Sequence, residues 1–138
     1  MILFLLLPLI LLTIAAVNFF QIRTPRATSE LQDSVGVVVP MRNEAENVEG
    51  IVTTLSAQDG TFNYYLLDDN SEDSTYELLQ KLTASDPRFT VIKGAPLADG
   101  WIGKTWALQQ LFEASNEDVL VSIDADVRLT NEAINKAV

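Results

Sequence analysis

The stretch VLVSIDADVRL, residues 119–129, is the most informative part of this chain for its fold class. Its first five residues form a mostly apolar run, which is typical of a strand buried within a sheet. Asp124 and Asp126 follow at once, so both carboxylates should stand at the carboxyl end of that strand. Ligands of open α/β sheets bind at this end of the strands. The stretch therefore predicts an α/β protein with an acidic ligand site at one edge of its sheet.

A second acidic pair follows a similar run in YYLLDDNSEDS, residues 64–74. Asp68 and Asp69 come directly after a strand that is predicted at 62–67. Acids at such places also occur in ordinary loops between a strand and a helix, and in phosphoacceptor domains. The Asp-x-Asp of residues 124–126 is more specific, because residues two apart in an extended chain point the same way and can address one ligand.

Composition limits the kinds of site that the chain can build. It has 138 residues, a formal net charge of −10, and neither Cys nor His. The acidic balance argues against a nucleic-acid partner, which requires clustered Lys and Arg. Without Cys and His, thiol catalysis, disulfides and the usual zinc sites are excluded. Any metal must be held by oxygen atoms, which favours Mg²⁺ or Mn²⁺.

The first 22 residues differ in composition from the rest. Only Pro8, Thr13 and Asn18 interrupt the apolar run of residues 1–20, and a run of this length suits a membrane-spanning helix. No basic residue precedes the run and no clear cleavage site follows it, which favours a retained anchor over a cleaved signal peptide. We therefore predict a single-pass transmembrane helix at 1–22.

Polar residues separate this segment from the folded domain. Arg23 and Arg26 lie directly after the apolar run, and the positive-inside bias then places the downstream domain in the cytoplasm. Residues 23–34 are predicted to form a linker. The remaining residues, 35–138, suit one small domain.

Four predicted strands alternate with amphipathic helical segments along this domain. The strands are expected at 35–39, 62–67, 89–92 and 119–123. This alternation predicts a parallel sheet with helices on both faces, and right-handed crossovers give it the spatial order 3-2-1-4. Asp69 and Asp126 should then open onto one cleft.

Helix starts are predicted at three polar residues. Asn43 with Glu46, and Ser74 with Glu77, have the spacing of a capping box, in which each residue bonds the backbone of the other. Thr130 is predicted to cap the last helix.

The segment GWIGKTW, residues 100–106, contains a Gly-Lys-Thr that also occurs in phosphate-binding P-loops. That motif requires a glycine at position 98, where this chain has Ala98. A P-loop-like NTPase is still one interpretation of the chain, although the motif is incomplete. A non-catalytic, membrane-anchored acidic module that binds a metal or a partner is another, and specific binding of UDP would argue against both.

Four segments, taken together and in this order, resemble the family 2 glycosyltransferases with the GT-A fold. They are VVVPMRNEAENV (37–48), LLDDNSEDST (66–75), DGWIGKTWAL (99–108) and VSIDADV (121–127). The resemblance covers about residues 35–130, the nucleotide-sugar-binding half of a longer enzyme. The segment DGWIGKTWA beside an N-terminal anchor is most similar to the bacterial membrane glycosyltransferases that modify carotenoid acids and related lipids.

The resemblance implies that a sugar is transferred, usually with inversion, from a nucleotide sugar to a lipid-like or polysaccharide acceptor. It places Pro40, Asn43 and Glu44 in the first nucleotide-contacting loop. It also makes Asp69 the acid that reads the base, usually uracil, so a UDP-sugar is the expected donor.

The same resemblance assigns the diphosphate end of the site. Lys104 is the basic residue of the donor site, Asp124 lies near the ribose, and Asp126 is the ligand of a Mg²⁺ or Mn²⁺ that bridges to the diphosphate. The catalytic base of this family follows well after the Asp-x-Asp, and Glu132 is too close to Asp126 for that role. The base is therefore expected beyond Val138, and the domain is interpreted as truncated.

Overall fold

One four-stranded parallel sheet forms the centre of the α/β fold. Residues 2–21 and 33–138 are described by a computed structural model, with side chains from Leu6 onward in the first range. The strands are β1 (Val35–Met41), β2 (Asn63–Asp68), β3 (Phe89–Lys93) and β4 (Val119–Ser122). They lie in the order β3-β2-β1-β4, which confirms the predicted order.

Helices supply the connections that parallel strands require. The helices are α1 (Ile2–Gln21), α2 (Ala45–Ser56), α3 (Thr75–Thr83), α4 (Gly103–Ala114) and α5 (Ala133–Ala137). Along the chain, α2 joins β1 to β2, α3 joins β2 to β3, and α4 joins β3 to β4. The alternation expected from the sequence is therefore confirmed.

Alternate side chains of β1 point to the two faces of the sheet, and each face carries its own apolar cluster. Val37 and Val39 are completely buried on one face, in a large apolar cluster with residues of α2, α3 and α5. Val38 belongs to a smaller cluster, in which it packs with Leu67 of β2 and Leu111 of α4. Successive residues of a strand point to opposite faces, so a continuous valine run is what a strand covered on both sides needs. The smaller cluster holds α4 against the sheet.

The first strand is longer than predicted, because it continues through Pro40 to Met41. The N–H of Asp69 donates to the carbonyl oxygen of Met41 (2.7 Å), and the N–H of Ile123 donates to that of Val38 (3.0 Å). The backbone N–H and C=O groups of alternate β1 residues thus point toward β2 and toward β4, and those of Val38 and Pro40 point toward β4. Because β1 pairs with β4 only as far as Val38, the missing N–H of Pro40 leaves no ladder bond unmade.

The capping box predicted at the start of α2 is wrong. The helix begins at Ala45, its N-cap is Glu44, and no side chain makes a capping bond from that position. Asn43 lies one residue outside and adopts a left-handed backbone conformation, with φ of 54°. A left-handed residue cannot occupy the extended N-cap geometry in which its side chain would bond the first helical turn.

The other two predicted caps differ from the structure as well. Ser74 does precede α3, but its side chain makes no capping bond. The N-cap of α5 is Glu132 rather than Thr130. Thr130 contributes its carbonyl oxygen instead, which accepts a hydrogen bond from the N–H of Ala133 (3.0 Å).

The helix predicted within residues 2–20 is present as α1. Its large apolar side chains are exposed from Leu6 to Phe20, the latter by 84%. Within residues 2–21 and 33–138, no helix is long and apolar enough to cross a membrane. The predicted transmembrane crossing is thus not confirmed. Most of the predicted linker, 23–34, lies outside the described residues.

Candidate functional site

A cavity of about 360 Å³ opens at the carboxyl edge of the sheet, beside the first turn of α4. The chain leaves β1 toward β2 on one side, whereas β4 pairs on the other side, and such a reversal of strand order opens a crevice. The lining residues are Pro40, Met41, Arg42, Glu44, Asp69, Gly103, Lys104, Ala107, Asp124, Ala125 and Asp126.

All of the predicted site residues except Asn43 line this cavity. Asp69 and Asp126 therefore open onto one cleft, as the predicted strand order requires. Arg42 is an exposed lining residue that the sequence reasoning did not select. Its signal was its place directly after the end of β1, in the same loop as Glu44, whereas Pro40 lines the cavity from the second-last residue of the strand.

The lining of the cavity is acidic on balance. Its charged side chains are four carboxylates and two cations, which gives a formal charge of −2. A diphosphate in such a cavity meets net repulsion, because like charges at short range oppose binding. A divalent cation held by one of the carboxylates would bring that formal charge to zero and remove the net repulsion.

Lys104 and Asp124 form an ion pair between α4 and the residues after β4. The Nζ of Lys104 donates to Oδ1 of Asp124 at 2.6 Å, and the two side chains are 61% and 58% exposed. Ion pairs this exposed contribute at most about 1 kcal/mol to stability. A bound anion can therefore draw Lys104 away at little cost, and the freed carboxylate of Asp124 can accept a hydrogen bond.

The Asp-x-Asp lies in a turn rather than in extended chain. The strand ends at Ser122, and the N–H of Val127 donates to the carbonyl oxygen of Asp124 (3.2 Å), which closes a turn at 124–127. Asp124 and Asp126 are exposed to the cavity on either side of the buried Ala125. The prediction that both acids address one cavity agrees with the structure, although the extended geometry behind it is wrong.

Asp126 fits a hard cation only as one ligand among several. No group of three or more metal-ligating side chains occurs in the part of the chain that the structure describes. Carboxylate oxygens are suitable ligands for Mg²⁺ or Mn²⁺, and such ions commonly take their other ligands from water and substrate phosphates. The donor set is compatible with a metal that is bound together with a phosphate ligand.

The two adjacent acids at the end of β2 have different surroundings. Asp68 is 2% exposed, and its Oδ1 has no hydrogen-bond partner among the described residues. Asp69 is half-buried and lines the cavity. Of the pair, Asp69 is the acid that a ligand in the cavity can reach.

Asn43 connects the loops after β1 and β2 instead of lining the cavity. Its N–H donates to Oγ of Ser71 (2.9 Å), and its Oδ1 accepts from the N–H of Glu72 (2.8 Å). Asn tolerates the left-handed conformation better than most residues, because its short side chain bonds locally. Asn43 thus fixes the position of the first cavity loop from outside.

Side chains from the second loop also replace the missing cap of α2. The N–H of Glu44 donates to Oγ1 of Thr75 (2.9 Å), and the N–H of Ala45 donates to Oδ2 of Asp73 (3.1 Å). The hydroxyl of Thr75, which also donates to Asp73, holds the pKa of that carboxyl below its ordinary value of 3.8, and backbone N–H groups add to the effect. Sequence reasoning missed this role, because the bonds join residues about thirty positions apart.

The segment with Gly-Lys-Thr does not form a P-loop. Residues 94–102 separate the end of β3 from Gly103, the first residue of α4. The indole N–H of Trp106 contacts the carbonyl oxygens of Ala95 (3.3 Å) and Pro96 (3.1 Å), which folds this segment back onto α4. In a P-loop, the strand leads directly into the glycine-rich turn.

Comparison with known sequences identifies the family of residues 36–138, which match the sequence model described as "Glycosyl transferase family 2". The chain is 30% identical over 109 residues to a 4,4'-diaponeurosporenoate glycosyltransferase of Staphylococcus haemolyticus, covering 79% of this chain and 28% of that protein. It is 31% identical over 106 residues to a dolichol-phosphate mannosyltransferase of Pyrococcus furiosus, covering 75% and 29%. The chain thus spans less than a third of the length of these relatives.

Solved structures support the same fold. A mannosyltransferase of Pyrobaculum calidifontis, in complex with GDP-Man and Mn²⁺, superposes with a TM-score of 0.77 at 20% identity over 93% of this chain and 38% of that one. A glucosyl-3-phosphoglycerate synthase of Mycobacterium tuberculosis, in complex with Mn²⁺, UDP and glucosyl-3-phosphoglycerate, superposes with a TM-score of 0.56 at 24% identity over 70% of this chain and 36% of that one. At these identities the likeness concerns the fold alone.

Proposed function

We propose that this chain, which belongs to glycosyl transferase family 2, binds the nucleotide-sugar donor of a glycosyl transfer reaction at the carboxyl edge of its sheet. The observation that carries the proposal is that the four segments of the family resemblance all contribute to one cavity. The activity of the whole enzyme would be transfer of the sugar, with inversion, to an acceptor.

We assign recognition of the nucleotide base to Asp69. An ionised carboxylate only accepts hydrogen bonds, so it suits a base edge that offers an N–H, as uracil does. A UDP-sugar is therefore the proposed donor. Pro40 and Glu44 are assigned to the adjacent wall of the nucleotide site, and Asn43 supports their loop from outside the cavity.

We assign binding of the diphosphate to Lys104 and to a metal held by Asp126. A Mg²⁺ or Mn²⁺ bound at Asp126 would neutralise negative charge that develops on the departing diphosphate. Lys104 adds a second positive charge when it turns from Asp124 to a phosphate oxygen. Asp124 is then available to accept from a ribose hydroxyl. The net charge of −2 in the cavity supports this scheme, because a diphosphate needs the cation in order to bind there.

We propose a lipid-like acceptor and association of α1 with a membrane. Two relatives are a diaponeurosporenoate glycosyltransferase and a dolichol-phosphate mannosyltransferase, and α1 exposes large apolar side chains such as Phe19 and Phe20. In a density gradient, the full chain should float with lipid vesicles. Recovery of all the protein in the vesicle-free fractions would contradict this assignment.

Calorimetric titration of UDP into the full chain, first with Mn²⁺ and then with a chelator, tests the donor site. Because metal and diphosphate would share ligands, UDP should bind roughly 5–150-fold more tightly with Mn²⁺, which is the usual range of coupling between two ligands. Asp126→Asn should remove this difference. Asp69→Asn should weaken UDP in both conditions.

The matched control is Asp59→Asn, which alters an exposed acid between α2 and β2, at the opposite edge of the sheet. It should bind UDP as the unmutated chain does. Equal UDP affinity with Mn²⁺ and with chelator would remove the metal from the mechanism. Failure of the unmutated chain to bind UDP would overturn the proposed donor, and a parallel titration with GDP would show whether another base is preferred.

A further inference from the structure

Arg128 connects the turn at 124–127 to α2. Its Nη1 donates to the carbonyl oxygens of Ala125 (3.0 Å) and Val127 (2.9 Å), and its Nη2 donates to Oδ1 of Asn47 (3.0 Å). Nδ2 of Asn47 in turn donates to Oε2 of Glu44 (2.7 Å). A continuous chain of hydrogen bonds therefore joins two walls of the cavity, although Asn47 and Arg128 are 81 positions apart.

Gly50 provides the space in which the guanidinium lies. A Cβ at this position would collide with Nε, Cζ and Nη2 of Arg128, so the guanidinium rests directly on the backbone of α2. Glycine inside a helix costs about 1 kcal/mol relative to alanine. The close contact with Arg128 gives a physical reason for a glycine in the middle of α2.

The two carbonyls that Arg128 holds flank Asp126 in the chain. A planar guanidinium with several fixed donors can hold two carbonyls and a side-chain amide at once, which an ammonium group on a flexible stem does less well. The carbonyl of Ala125 belongs to the peptide that precedes Asp126, and that of Val127 to the peptide one residue further on, so the two bonds restrain the backbone from 125 to 128 and with it the directions that the side chain of Asp126 can take. Arg128 thereby limits where the carboxylate of Asp126 points.

We propose that Arg128, seated on Gly50 and held by Asn47, is a positioning residue that fixes the turn at 124–127 so that Asp126 is preorganised for a divalent cation and the diphosphate. This inference rests on the proposed donor site for its functional meaning. The positioning itself is a property of the chain and is measurable without nucleotide.

The test uses Gly50→Ala, which displaces the guanidinium without altering any residue that lines the cavity. Because alanine favours the helix, the variant should unfold at the same or a higher temperature. Backbone order parameters from NMR at 124–127 should fall from about 0.85, the value of rigid backbone, toward about 0.6. The tightening of UDP by Mn²⁺ should decrease at least about five-fold, whereas UDP affinity in chelator stays unchanged.

Two further variants test whether the loss of coupling arises from positioning by Arg128 rather than from its charge or from a change in the stability of α2. Arg128→Lys keeps the charge and should lose the coupling as Gly50→Ala does, because the fork of donors is gone. Ser56→Ala changes an exposed residue at the end of α2, six positions from Gly50, and should leave both the order parameters and the coupling unchanged.

Unchanged order parameters at 124–127 in Gly50→Ala would overturn the positioning role, whatever the nucleotide does. Normal coupling in both Gly50→Ala and Arg128→Lys would overturn it as well. If order falls in Gly50→Ala but the unmutated chain does not bind UDP, the donor site is wrong and the positioning of the turn stands.

Discussion

Lys104 and Asp124 form a contact that lines the candidate cavity and matters little to the fold. Their ion pair is more than half exposed, so we expect Lys104→Gln to change the melting temperature very little. The same change should weaken UDP binding about ten-fold or more, because a hydrogen bond to a charged group contributes about 1.5–3 kcal/mol. Calorimetry and thermal unfolding of one preparation measure both effects.

The control for this prediction is Lys81→Gln, which removes an exposed lysine from the last turn of α3. It should leave UDP affinity and its salt dependence unchanged. Lys104→Gln should bind UDP with a weaker dependence on salt, since one positive charge no longer meets the phosphates. A Lys104→Gln protein that binds UDP as tightly as the unmutated chain would remove Lys104 from the donor site.

Residues at strand ends were predictable, and residues that act through distant contacts were not. The position of Asp69 follows from an apolar run that must end where the acids begin, and so does that of Asp126. The seat of Arg128 on Gly50 depends on how α2 meets the turn after β4, which no local pattern records. The left-handed conformation of Asn43 likewise depends on a loop that lies almost thirty residues away.

The junction between the β1–α2 and β2–α3 loops can be tested through Asn43. Asn43→Gly keeps the left-handed backbone and loses one side-chain hydrogen bond, at a cost of about 1 kcal/mol. Asn43→Ala loses the same bond and adds about 1–2 kcal/mol for a left-handed residue with a Cβ. Urea unfolding should therefore rank the alanine variant as the less stable one.

Asn70 supplies the comparison, because it has a similar φ of 53° and, among the described residues, its side chain donates one hydrogen bond, a long one of 3.3 Å to the carbonyl oxygen of Ala95. Its glycine variant should be nearly as stable as the unmutated chain. Equal stability of Asn43→Gly and Asn43→Ala would show that the left-handed conformation of Asn43 carries no cost.

The same junction should weaken in acid. Hydrogen bonding by Thr75 lowers the pKa of Asp73 in the folded chain, so folding is favoured by the ionised form. That contribution is present above the ordinary value of 3.8 and is lost as the pH falls through the lower folded pKa. Asp73→Asn should therefore flatten the decline of melting temperature in this acidic range. An unaltered pH profile in Asp73→Asn, with Asp59→Asn as the control, would contradict it.

Helix positions were predictable from apolar spacing, but helix starts were not. The spacing of Val48, Val52 and Leu55 marks α2, and all three are buried as a helical stripe requires. Its start was misplaced because Thr75 and Asp73 satisfy the first N–H groups from the next loop. A side chain from elsewhere in the fold thus replaced the local cap that the sequence pattern suggested.

The two faces of the sheet differ in how firmly they hold their helices. Four residues of α2 are buried in the large cluster, whereas α4 buries only Ala107 and Leu111 in the small one. Local opening is easiest where few apolar contacts are lost. In native-state hydrogen exchange, the amides of α4 should exchange faster than those of α2. Equal protection of both helices would show that the small cluster holds α4 as firmly as the large one holds α2.

The whole-molecule order of strands was the most predictable property. Alternating strands and helices leave few arrangements for a parallel sheet, and the acids at two strand ends favoured the one that opens a crevice between β1 and β4. The unequal division of the core was not predictable from the same pattern. The valine run of β1 shows that both faces are covered, but it does not show how much apolar surface each face receives.

The small number of side chains that α4 buries has a consequence for the cavity, because Gly103, Lys104 and Ala107 all belong to that helix. If α4 opens as readily as expected above, one wall of the site takes part in a docking equilibrium, and the apparent affinity for UDP should be the intrinsic affinity scaled by the docked fraction. Leu111→Ala should weaken UDP by the factor by which it lowers that fraction, although Leu111 does not line the cavity. UDP should in return slow amide exchange along α4, because UDP binding and docking of α4 would be coupled.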